Sequence, residues 1–214
     1  MSSKPKGKGK ESEAPAETGP RTPPRLRDRF KSEVSGKIGE QFGLKNPMSR
    51  PRLDKIVVNV NMGRHLDGNK IPPLVKDTVL ATLAKITGQK PIVLKAKKSV
   101  SNFKVREGAE TAAMVTIRRE RMWHFLDRLI NLAIPRIKDF RGLPTEAFDK
   151  NGNYAIGLAE QGVFPEIDMA AVNFIHGMNV NICFRNSNPE RSRFALEQLG
   201  MPFRRPSESP AKKN

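Results

Sequence analysis

Polar side chains recur at every second position in three apolar stretches of this chain. Asn59 and Asn61 close one run, Thr116 and Arg118 another, and Asn179, Asn181 and Arg185 a third. Successive side chains of an extended chain point to opposite faces, so each set shares one face of a strand. Ile56, Val58 and Val60, then Val115 and Ile117, then Val180 and Ile182, occupy the alternate positions. Together with Met114, the polar set holds amides, a hydroxyl and guanidinium groups, and no aspartate or glutamate. A solvated sheet face ordinarily mixes both signs of charge. This composition suits phosphate oxygens, ribose hydroxyls and base edges.

A second feature points the same way. Ile92-Val93-Leu94 runs into Lys95-Ala96-Lys97-Lys98, then Ser99 to Gly108, and Ala113 to Ile117 returns as a strand ending in Arg118-Arg119. The connection is too long and too polar for a tight turn. Two half-buried strands would hold a cationic finger away from the body, and loops of this length in compact domains are usually functional or disordered.

Constellations for catalysis are weak. The three histidines lie in a loop (His65), on a long helix (His124) and in a turn (His176, beside Gly177). No His/Cys spacing suits zinc, no phosphate-cradling GxxxxGK or GxGxxG occurs, and Glu166 and Asp168 have no evident catalytic partner. Asp149 to Asn153, with Glu160 at the twelfth place, has a superficial calcium-loop spacing, but Tyr154 stands where that loop requires glycine. Asn151-Gly152 reads better as a turn. No catalytic residue, metal or cofactor is expected.

The elements that must position these groups follow from the pattern. The 214 residues carry a formal charge of +17, which calls for a polyanion: nucleic acid or an anionic membrane surface. No apolar run of about 18 residues could span a membrane. No signal peptide is expected, and Glu11, Glu13 and Glu17 interrupt any transit-peptide pattern. The single cysteine, Cys183, leaves no internal disulfide and fits a reducing compartment. Residues 1–24 alternate Lys with Gly and Pro and then turn to Ala, Glu, Ser and Pro, so a disordered tail is expected there and again over 206–214. Residues 25–205 should form one domain.

Within it, Leu26, Phe30, Val34, Ile38 and Phe42 recur every four residues and predict a helix over 25–44. Strand 53–60 follows, then a turn-rich loop over 63–70. A helix enters at Pro72-Pro73 and stops at Gly88, and Gln89 leads into the finger hairpin. The helix over 120–134 is the strongest; Pro135 should end or kink it, and Trp123 reads as packing. Residues 148–171 look irregular, with short strands. Strand 178–184 and a helix from Asn188-Pro189 to Gly200 complete the domain. The order implies an α+β fold with a ferredoxin-like split βαβ core. It predicts an antiparallel sheet with helices on one face and extra N- and C-terminal helices. The open face lacks aromatics, which single-strand readers of this architecture use to stack bases. Folded RNA read by backbone and shape is therefore favoured; shape-based DNA binding stays open.

Several stretches resemble one family. Ile86-Thr87-Gly88-Gln89-Lys90-Pro91, Lys95-Ala96-Lys97-Lys98-Ser99, Phe103-Lys104-Val105-Arg106-Glu107-Gly108 and Arg121-Met122-Trp123 are similar to the bacterial large-subunit ribosomal protein L-five family. So are Phe125-Leu126-Asp127-Arg128-Leu129-Ile130, Pro135 to Leu143, Phe164-Pro165-Glu166-Ile167-Asp168 and Gly200-Met201-Pro202-Phe203. The resemblance spans about 25–205. It implies a non-enzymatic protein of the central protuberance, cytoplasmic on the ribosome and without membrane contact. Such a protein binds 5S rRNA and helps seat it among 23S rRNA and other protuberance proteins. The family's 5S contacts fall here on Asn59, Gln89, Thr116 and Arg118. Its finger reaches the peptidyl-site tRNA, which implicates Lys98, Phe103, Lys104, Arg106 and Gly108. A segment over 161–174, with Phe164, Glu166 and Asp168, corresponds to the contact with small-subunit protein thirteen across the subunit bridge. The chain departs from the family at Asn61 and Arg119, where glycine is frequent, and at Glu110-Thr111-Ala112, where the family has Pro-Ile-Gly. A free structured-RNA-binding regulator using the same face is the alternative, and a nucleic-acid-processing enzyme is disfavoured by the missing acid cluster.

Overall fold

The computed structural model describes residues 22–65, 70–103, 105–172 and 174–204. The tails expected over 1–24 and 206–214 therefore lie almost wholly outside the described residues, as do Lys104 and part of the 63–70 loop.

Five strands form one antiparallel sheet: β1 Arg52–Asn61, β2 Ile92–Lys95, β3 Glu110–Ile117, β4 Tyr154–Leu158 and β5 Met178–Arg185, in the order β2-β3-β1-β5-β4. Helix α3 (Pro73–Thr87) joins β1 to β2, and α4 (Arg119–Arg128) follows β3. Without β4 the order is that of the split βαβ core the sequence predicts. β4 is an addition on the far edge, paired to β5 from Tyr154 opposite Ile182 to Leu158 opposite Met178. Sequence alternation alone leaves it within an irregular region because it is only five residues long and broken by Gly157.

Ile56, Val58 and Val60 on β1, Val115 and Ile117 on β3, and Val180 and Ile182 on β5 are all sealed in the core. Helices cover this face. Each fully buried side chain of this size contributes about 1.5–3 kcal/mol relative to exposure, so the apolar alternation fixes which face turns inward. A one-residue slip would reverse it.

The first helix runs as α1 (Arg25–Arg29), a π turn (Phe30–Val34) and α2 (Ser35–Gln41). Its apolar residues are four apart, and at 3.6 residues per turn such a stripe drifts by about 40° each step. The wider π turn absorbs that drift, and Leu26, Phe30, Val34 and Ile38 all stay buried. Helix α4 behaves similarly before Pro135, which has no N–H to donate. The ladder widens into a π turn over Leu129–Ala133, the Ile134 N–H reaches Leu129 O, and a 3-10 turn (Ile134–Arg136) ends the helix. Trp123 is packing, as expected, with its ring 5.3 Å from that of Phe30. Helix α5 (Pro189–Gln198) starts where Asn188-Pro189 predicts, but the Asn188 side chain makes no capping hydrogen bond.

Asn151-Gly152 is a turn. One Asp149 oxygen accepts from the backbone N–H groups of Asn151 and Asn153 (2.9 and 2.7 Å), and the other accepts from the Asn153 amide. Gly152 has φ +76°, and a Cβ there would sit 2.8 Å from Asn188 O. Tyr154, at the calcium loop's glycine place, is buried and donates its hydroxyl to Pro144 O at 2.8 Å.

Outside the Phe30–Trp123 contact, Arg25 clamps Asp127 with two hydrogen bonds of 2.7 and 2.8 Å, tying α1 to α4. The Arg25 hydrogen bonds hold the Asp127 carboxyl below its ordinary value, against a weaker opposing effect of burial. A depressed folded-state pKa stabilises above the unfolded value and is lost as pH falls through the folded one. Asp127→Asn should therefore unfold at lower denaturant than the native protein at pH 7. The gap should close on acidification below about pH 4, the ordinary aspartate value, in denaturant titrations at both pH values.

Candidate nucleic-acid interface

The opposite face of the sheet carries no helix, and pairing registers place its side chains in rows. Ile92, Met114, Asn59, Asn179 and Gly157 form one row; Thr116, Val57, Asn181 and Ala155 form the next. Asn59, Thr116 and Asn181 are half-buried, and Asn179, Arg118 and Arg185 are exposed. The alternation read from sequence thus holds across three strands. These two rows contain no carboxylate. Asp54 sits beyond them, at the register shift between Leu53 and Lys55, and with Asp149 lies close enough to act on Cys183, whose thiol burial pushes up.

Arg118 stands between the end of β3 and the start of α4. With Arg27, Arg119 and Arg121 it lines one concavity of about 680 Å³, together with Gln89, Glu120 and Trp123. So Gln89 and Arg118, far apart in sequence, meet in one depression, while Asn59 and Thr116 lie on the adjoining sheet. Gln89 Oε1 is shielded from solvent with no hydrogen-bond partner. Arg27 is paired with Glu120 at 3.1 Å. Arg119 has φ +57°. A side chain in this left-handed region costs about 1–2 kcal/mol, and here it carries a cation into the arginine cluster.

A second cleft opens at the other end of the strands, lined by Asn59, Asn61, Arg64, His65, His176 and Asn179 among others. It was not legible as a site. His65 and His176 look like unrelated loop residues, yet Phe174 lies between their rings at 5.4 and 5.6 Å. The buried Gln161 staples this loop from beneath: its amide donates to Phe174 O (2.8 Å) and accepts from the His176 N–H (2.7 Å).

The finger is more ordered than a loop of its composition suggests. Ala96 N–H donates to Ala109 O (2.7 Å), Gly108 N–H to Ala96 O (2.9 Å), and Val100 and Val105 exchange two bonds of 2.8 and 3.2 Å. The β2–β3 ladder therefore continues along it. Gly108 takes φ +80° at the turn. Lys98 and Arg106 are exposed, and Phe103, in a 3-10 turn at the tip, is 77% exposed. The divergent Glu110 stays at the base, paired to Lys76 on α3 at 2.7 Å.

Phe164, Glu166 and Asp168 do not share one exposed surface. Phe164 is 1% exposed and stacks on Phe125 at 6.0 Å, so its side chain is core. The resemblance puts Phe164 at a subunit contact, but α4 covers its ring through Phe125. Glu166 is ion-paired to Arg128, which also donates to Ile86 O at 2.9 Å. Only Asp168 is exposed, its carboxylate accepting the Ala170 N–H at 3.0 Å.

Known proteins resemble this chain along most of its length. A family model described as Ribosomal protein L5 matches residues 46–106, and one described as ribosomal L5P family C-terminus matches residues 110–203. Similar proteins include the Large ribosomal subunit protein uL5 of Rubrobacter xylanophilus, 48% identical over 181 residues, or 84% of this chain and 98% of that one. The protein of the same name from Bdellovibrio bacteriovorus is 48% identical over 181 residues, 85% and 99% of the two chains. That of an Anaeromyxobacter species is 46% identical over 180 residues, 84% and 98%.

The left-handed Arg119 gives a stability test. Arg119→Gly should be neutral or stabilising by up to about 1 kcal/mol, because relieved strain offsets the freedom glycine adds to the unfolded chain. Arg119→Val, whose branched side chain tolerates that region poorly, should be destabilised. Urea denaturation of the three proteins checks the order.

Proposed function

The chain belongs to the ribosomal protein L5 family, and from that premise we propose that its open sheet face binds 5S rRNA and helps hold it in the large ribosomal subunit. Membership makes it a structural, non-enzymatic constituent of that subunit. The finer reading rests on one observation: a helix-free face whose two central rows carry amides and a hydroxyl and no carboxylate, bordered by Arg118 and Arg185.

Capture is electrostatic. The excess of 17 positive charges draws the RNA in and releases condensed counterions, so affinity falls with salt. Register is then set by short-range contacts: Arg118 and its neighbours on phosphates, Thr116 and Asn59 on sugar or base edges, with Gln89 beside Arg118 in the same depression. The face has no Phe, Tyr or Trp in these rows, which fits a folded RNA more than splayed bases.

The finger is the second contact. Its ladder makes it a stiff arm on which Lys98, Phe103 and Arg106 are exposed, and these are the groups we assign to a peptidyl-site tRNA. The 161–172 segment is the third, toward small-subunit protein thirteen. There Asp168 and the part-exposed Met169 are the candidate contacts, with Phe164 and the Arg128–Glu166 pair holding the segment from behind.

Gel shifts with a bacterial 5S rRNA transcript test the face. Arg118→Ala should lose on the order of 1–3 kcal/mol of binding, and Asn59→Ala should also weaken it. Unchanged affinity in both would remove the assigned face. In a separate assay, Phe103→Ala with Arg106→Ala should spare 5S rRNA binding but reduce tRNA retention on reconstituted ribosomes. Equal loss of both activities would contradict two separate surfaces.

A further inference from the structure

The cleft at the Asn61 end of the open face has a chemistry that the arginine cluster does not share. Its volume, about 460 Å³, lies within the roughly 300–1,000 Å³ of sites that hold small organic groups. Two polar atoms of its lining, Asn59 Oδ1 and His176 Nε2, are shielded from solvent and have no hydrogen-bond partner. His176 is only 8% exposed.

Both atoms are acceptors. His176 Nδ1 lies 3.3 Å from Gly177 O; a carbonyl can only accept, so Nδ1 carries the proton. Burial pushes the imidazole below its ordinary value, opposed by that hydrogen bond and reinforced by His65. The ring is therefore neutral at pH 7 and Nε2 offers a lone pair. The position of the ring is not accidental: Gln161 holds the His176 N–H, and a Cβ on Gly177 would meet Leu158 O at 2.8 Å, so the turn can close only with glycine.

A floor of unsatisfied acceptors rejects an anion and calls for a donor. It does not suit a metal ion: the described residues hold no cluster of three or more His, Cys, Asp or Glu that could hold one, and Arg64 stands in the same lining. At the rim the polarity reverses. Asn61 Oδ1 is committed to the Gly63 N–H at 2.8 Å, leaving its amide NH2 free to donate, and Arg64 is exposed. Acceptors inside, donors and a cation at the mouth, and the His65 and His176 rings in the lining describe the complement of one nucleotide.

We propose that this cleft seats a single RNA nucleotide, whose entry opens the shielded Asn59 Oδ1 and His176 Nε2 and gives them the donor they lack, while Arg64 meets its phosphate. The donor is either a ribose 2′-hydroxyl or the exocyclic amine of an unpaired base. This rests on the RNA-binding reading and adds to it a specific pocket, made by residues that reading does not use apart from Asn59.

Analogue interference tests it with the full chain and a bacterial 5S rRNA transcript. One transcript pool carries sparse 2′-deoxy substitutions, the other sparse bases lacking the exocyclic amine; bound and free fractions are compared. The native protein should show a position of interference in one pool, which identifies the donor. His176→Phe keeps the ring and removes the acceptor. It should bind roughly three- to tenfold more weakly and lose interference at that position alone. Arg64→Ala, which has no partner among the described residues, provides the arm that does not depend on refolding around residue 176. It should weaken binding and reduce the salt slope by about one phosphate contact. Identical interference maps for native protein and His176→Phe, or unchanged affinity for Arg64→Ala, would overturn the pocket. If Arg118→Ala still weakens binding in that case, the sheet-face reading survives without the cleft; if the native protein fails to bind the transcript, both fall.

Discussion

Strand β1 lies between β3 and β5 with Ile56, Val58 and Val60 wholly buried on one side, and this asymmetry governs the rest of the molecule. β1 and β2 run parallel because both are antiparallel to β3, and β3 and β5 are parallel on either side of β1. Connections between parallel strands of one sheet are almost always right-handed, so both crossovers put their helices on the same side. The other face is left without a covering layer. Its side chains are then free of the need to pack, and what they are is a matter of what they must bind.

The appendages depend on that frame. The finger is a continuation of the β2–β3 ladder, so its aim follows from the sheet's twist rather than from the loop's own composition. Arg119 can be held in a left-handed conformation because Ile117 and Met122, on either side of it, are locked in the core. Arg128 performs a comparable task on the helical side, joining α4 to the end of α3 through Ile86 O and to the 161–172 segment through Glu166.

Much of this was readable from residue order because the strands alternate strictly. Asn59, Thr116, Arg118 and Asn179 fall on one face for the same reason that Ile56, Val115, Ile117 and Val180 fall on the other. What escaped depends on contacts between distant segments. β4 is one of the short strands expected within 148–171, but its bounds and its place at the sheet edge follow only from its pairing with β5. Phe164, named only through the resemblance, is buried by its contact with Phe125 of α4. The His65–Phe174–His176 contacts exist only when the loop after β1 meets the loop before β5, and nothing local in either marks a cleft. Glu110 reads as an acidic intrusion into the finger until Lys76 of α3 is seen to hold it at the base.

Cys183 offers a direct test of whether RNA lies on the uncovered face. It is the chain's only cysteine, half-exposed on that face opposite Lys55. An iron chelate attached to it generates hydroxyl radicals that cut nearby nucleic acid. The account predicts localised cleavage of bound 5S rRNA from Cys183, and none from the same chelate on Ser32→Cys in a Cys183→Ser background, since Ser32 is exposed on the first helix. Cleavage from residue 32 and not from residue 183 would place the RNA on the helical side and contradict it.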